Sequence, residues 1–125
     1  MTAVVEWDNE DKTILRITYQ DPIVIEDVFT ALDQQTEMLD TVDYPVTMLI
    51  DMSTVKRLPI NSLSNYPQIA KHRGVGHPNV RMSYVVMNNM PVEYMINIFS
   101  RVFAKFQTAT SVEQARERIA EQAKS

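Results

Sequence analysis

Two groups of side chains in this sequence are of types that could do chemistry. The first is Asp51 with Ser53, which closes the apolar run Pro45-Val46-Thr47-Met48-Leu49-Ile50. A carboxylate and a hydroxyl at the carboxyl end of a central strand stand where open α/β sheets place functional groups. A phosphoryl-accepting aspartate needs companions: an acidic pair after the first strand with a lysine after the last, or a second Asp two residues on. Neither set is present, and position 53 is Ser. A structural role is therefore expected for Asp51, its carboxylate accepting N–H bonds in the loop that follows. The second group is Lys71-His72-Arg73-Gly74-Val75-Gly76-His77, which holds both glycines of the chain. Glycines let main-chain N–H groups converge on an anion, and Arg and Lys supply charge. The segment matches no phosphate-loop motif. His72 and His77, five apart with no third ligand nearby in sequence, make a poor metal pair. A plain loop after a helix end and an anion-binding loop both remain open readings.

Nothing else in the chain assembles a reaction centre. There is no cysteine, the two histidines share one loop, and no serine lies in a nucleophile elbow. No catalytic residue, metal or cofactor is expected. Eight methionines are many for 125 residues. Met52, Met87 and Met90 follow the ends of two strands, with Met95 one turn into the next helix. Such thioethers either fill a core or line an adaptable apolar pocket that takes a small ligand.

These groups must be carried by regular elements. Ala3–Trp7 and Thr13–Tyr19 read as strands, the second alternating Leu15, Ile17 and Tyr19 with Arg16 and Thr18. The polar residues 8–11 between them predict a hairpin turn. Residues 24–40 carry Ile25, Val28, Phe29, Leu32 and Leu39 at helical spacing. Residues 45–51 show almost no alternation, as in a strand covered on both faces. A short helix over 62–72 and a strand over 80–87 follow. A helix over 91–106 comes next, with Val92, Met95, Ile96, Phe99, Val102, Phe103 and Phe106 inward. On it Tyr94 and Ile98 form a second apolar face suited to a neighbouring subunit. A brief strand, 107–109, precedes a last helix opened by a Thr110–Glu113 capping box, with Val112, Ala115 and Ile119 inward. The order ββαβαβαβα predicts one α/β domain over residues 1–125, its sheet mixed and partly parallel.

Charge is unevenly distributed. Residues 1–54 hold twelve acids against Lys12 and Arg16, whereas residues 55–110 hold seven bases against Glu93. That polarity suits self-association, an anionic ligand near the basic half, or an ordinary solvated surface. Nucleic-acid binding is disfavoured by a pI near 5.1 and the lack of a basic run interleaved with aromatics. No segment has the length of a membrane span or the form of a signal peptide, so a soluble, cytoplasmic protein is expected.

The element order, the strand end "LIDMSTV" and the closing "FQTATSVEQA" resemble the STAS domain of anti-sigma factor antagonists, roughly over residues 11–120. The chain looks closer still to small stand-alone bacterial STAS-like proteins, through Asp51, Ser53, Leu58-Pro59 and His77-Pro78-Asn79. The resemblance implies a regulatory protein that binds a protein partner or itself as a homodimer. In regulatory members a helix-capping serine about eight residues past the strand-end Asp is phosphorylated. Pro59 and Ile60 fall there, and neither can cap a helix or accept phosphate. Ser62 and Ser64 follow, as helix caps or as displaced acceptors. Asp51, Ser53, Ser62, Ser64, Lys71, His72, Arg73, His77, Met87 and Met90 are thus the candidate partner- or ligand-binding residues, with Tyr94 and Ile98 for self-association.

Overall fold

The computed structural model describes residues 3–21, 23–56, 66–73, 75–87 and 105–123. Among these residues five strands form one sheet in the order β1-β2-β3-β4-β5: β1 Ala3–Trp7, β2 Ile14–Tyr19, β3 Val46–Asp51, β4 Val80–Val86 and β5 Phe106–Ala109. The β1–β2 pair is antiparallel and the other three pairs are parallel. The expected α/β class and mixed sheet are therefore present. The hairpin turn is built by Asn9, whose Oδ1 accepts the N–H groups of Thr13 and Ile14. Lys12 takes the left-handed conformation there, φ 57°.

Among the described residues three helices accompany the strands: α1 Ile25–Leu39, α2 Tyr66–Lys71 and α3 Val112–Ala123. Parallel neighbours that follow one another in sequence need crossovers, and the right-handed rule puts successive crossover helices on one face. α1 and α2 obey it, with His72 just after α2 meeting Asp33 of α1. α3 is no crossover and packs on the opposite face, against β3, β4 and β5.

The strand pleat divides the core accordingly. On the α1 face Leu15, Ile17, Tyr19, Met48, Ile50 and Val85 pack with Ala31 and Leu39. On the α3 face Leu49, Tyr84 and Val86 pack with Ala109, Ala115 and Ile119. Residues 46–50 of β3 are all buried, because that strand serves both layers.

Three details correct the sequence reading. Phe106, expected as the end of a helix, is the first residue of β5. The capping box sits one residue later, since Ser111 Oγ accepts the Gln114 N–H at 3.0 Å while Gln114 Oε1 accepts the Thr110 N–H. α1 also buries Gln35 and Thr36 beside its apolar stripe, with the Thr36 hydroxyl donating to Leu32 O. The expected helix over 91–106, with Tyr94 and Ile98, lies outside the described residues, as do Ser62, Ser64 and Met90.

Candidate functional site

The predicted residues separate to opposite ends of β4, a strand of seven residues and so about 20 Å long. Asp51, Ser53 and Met87 stand at the carboxyl end of the sheet, and Lys71, His72, Arg73 and His77 at the amino end. Among the described residues, Met52 and Met87 are therefore separated from the 71–77 loop by the length of the strand.

At the carboxyl end, Asp51 pairs laterally with Thr18 of β2 and Val86 of β4. Its Oδ1 accepts the Ser53 N–H at 3.0 Å, the local turn expected of a strand-end aspartate. The loop beyond is tied to β2: the Thr54 hydroxyl donates to Tyr19 O, and the Lys56 N–H donates to Asp21 Oδ1. Met52 and Met87 are buried in the α1-side core, where they fill space. Tyr19 is buried beneath the same end. Burial, and then the charge of Asp27, push its phenol far above the ordinary tyrosine range.

At the amino end the basic cluster is already matched by acids. Arg73 grips Asp40 with two bonds, Nη1 to Oδ1 at 3.1 Å and Nη2 to Oδ2 at 2.5 Å. His77 Nε2 lies 2.8 Å from the same Oδ1, and His72 Nε2 lies 2.7 Å from Asp33 Oδ1. The Asn79 N–H donates to His77 Nδ1, which leaves Nε2 to carry the hydrogen that faces Asp40. Asp40 sits at the C-terminal end of α1, where the helix dipole disfavours a negative charge. Hydrogen bonds from Arg73 and then His77 nonetheless hold its carboxyl well below the usual carboxylate range, and Arg73 is raised in turn. The Asn79 side chain completes the joint by donating to Leu39 O at 3.0 Å and Val42 O at 2.9 Å. Those carbonyls belong to the end of α1 and the turn after it, which need outside donors.

The His-Pro-Asn stretch and the basic loop before it therefore lock the end of α1 to the start of β4. The Asp40 carboxylate occupies Arg73 and His77 as an incoming anion would. His77 is itself buried, its side chain 4% exposed. Lys71 is exposed at the end of α2.

Two further clusters had no signal in local sequence. On the α3 side of the hairpin, Asp8 bridges Arg16 at 3.0 Å and Arg116 of α3 at 2.7 Å, and Arg16 also meets Glu6. The Asp8 side chain is only 4% exposed, so this bridge ties the C-terminal helix to the N-terminal hairpin. The other lies between α3 and the β4–β5 pair, a groove of about 240 Å³ lined by Tyr84, Gln107, Arg118, Glu121 and Gln122. Among the described residues no cluster of three His, Asp or Glu could hold a metal, and no helix is long and apolar enough to cross a membrane. No protein-family model, curated protein or solved structure matches the chain.

Proposed function

We propose that this chain is a non-enzymatic STAS-like interaction domain of the cytoplasm. It acts by binding a protein, a second copy of itself included, and works without a phosphoserine switch. The resemblance of the strand end and of the closing helix to STAS proteins supports the family reading. One observation carries the mode of action. Among the described residues at the carboxyl end, three polar side chains are engaged in holding backbone: Asp51 caps Ser53, Thr54 holds Tyr19 O, and Asp21 holds Lys56. The product is an ordered rim with exposed Thr54 and Lys56 side chains, and a pre-formed loop on a rigid sheet suits recognition.

Lys56→Glu tests this reading, because the main-chain bond to Asp21 survives the substitution. Quantitative affinity capture from the native host, with light scattering on the purified protein, should find a stoichiometric partner or a dimer that Lys56→Glu removes while the melting temperature holds. A capture profile and a mass that the substitution leaves unchanged would overturn it. Intact mass of the host-expressed protein should show no phosphate under any growth condition.

A further inference from the structure

Tyr84 has a side chain that its surroundings do not complete. It lies in the middle of β4, fully buried at 0% exposure, yet its hydroxyl has no hydrogen-bond partner among the described residues. Buried tyrosine hydroxyls normally find one. This ring helps form the floor of the groove between α3 and the β4–β5 pair.

Two guanidinium groups stand around it. Arg118 lines the groove and is fixed by Nη1 donating to Thr108 O at 2.7 Å. Arg81 reaches Gln122 O, a groove residue, at 3.5 Å. Both are close enough to act on the phenol: burial raises its pKa, and Arg118 and then Arg81 pull it back. Neither arginine has a carboxylate partner among the described residues, in contrast to Arg16, Arg73 and Arg116. Each uses one donor on a main-chain carbonyl and keeps others in a planar fork suited to an oxyanion. Glu121 also lines the groove and opposes an anion, which leaves one net positive charge among these three groups. Gln107 and Gln122 add neutral polar contacts at the walls.

We propose that this groove is a binding site for a small oxyanion, a phosphate or carboxylate group. It would be held by Arg118 and Arg81, with the Tyr84 hydroxyl as the buried donor. The volume, below the usual range for drug-sized ligands, limits the occupant to a few heavy atoms or to the charged end of something longer. This site is distinct from the carboxyl-end rim and does not depend on the function proposed for it.

Inorganic phosphate and succinate, each titrated by calorimetry in a chloride-poor buffer, distinguish the two anion sources. Saturable binding of at least one is expected. Tyr84→Phe should weaken it about tenfold, the loss of one hydrogen bond to a charged group. Arg118→Gln should abolish it, and Glu121→Gln should tighten it. Tyr84→Phe preserves ring packing, so its folded state can be verified independently by near-UV circular dichroism. Absence of binding by both anions at millimolar concentration would overturn the proposal. So would binding that Tyr84→Phe and Arg118→Gln leave unchanged.

Discussion

Two basic clusters of this protein look alike in composition and differ in what completes them. At the amino end of β4, Arg73, His72 and His77 meet Asp40 and Asp33, so their donors face carboxylates of the same chain. On the α3 face, among the described residues, Arg118 and Arg81 meet main-chain carbonyls and no carboxylate, beside a tyrosine hydroxyl that has no partner there. The first cluster is conspicuous in sequence and is a joint. The second is inconspicuous and is the better receptor for an anion. Charge density along a sequence is therefore a weaker guide to a site than whether the fold supplies a counter-charge. The same lesson applies to the split between an acidic first half and a basic middle, because Asp33 and Asp40 of one half pair with His72 and Arg73 of the other.

Mutations can break this contrast at either cluster. The largest effect is expected from Asn79→Ala, which strips donors from Leu39 O and Val42 O at the end of α1. A loss of about 2 kcal/mol in urea unfolding is expected from the removal of two part-buried hydrogen bonds, Leu39 O still accepting the Val42 N–H at 3.4 Å. A loss below about 1 kcal/mol would mean the joint is not structural. Tyr84→Phe should act in the opposite sense and stabilise the anion-free protein by about 1 kcal/mol, since it deletes a buried hydroxyl that lacks a partner. Destabilisation of that size would show that the hydroxyl is satisfied. Smaller still is the pH effect of the half-exposed Asp40. Its folded pKa is depressed below the ordinary 3.8, so its contribution to stability is complete well above that value and fades as pH falls through and below it. The stability difference between the parent and Asp40→Asn should shrink as pH falls below about 4. A difference that grows in acid would contradict the sign. Added salt should shrink it too, because the pair is open to solvent.

How much of this was legible depended on the range of the interaction. β3 could be read as a doubly covered strand because its lack of alternation is local, and both core layers use it. Asp51 could be read as a turn-former because its partner, Ser53, is two residues away. Phe106 misled because an apolar residue three after Phe103 fits a helical stripe as well as the start of a strand. At the last helix, Thr110–Glu113 and Ser111–Gln114 are overlapping boxes of the same kind, and local spacing does not choose between them. The functional contrast was not legible at all. Asp40 and Arg73 are 33 residues apart, and Arg118 comes 34 after Tyr84, so only the fold brings each pair together. The one local hint was a tyrosine in the buried half of a strand, since its hydroxyl has to go somewhere.

The contrast between the two clusters is most directly tested by mapping where an anion lands. In amide-resolved NMR spectra of the parent protein titrated with phosphate at constant ionic strength, saturable shifts are predicted at Tyr84, Gln107, Arg118 and Gln122. Residues 71–79 should stay unmoved. Saturable shifts centred on 71–79, with the groove silent, would contradict the account.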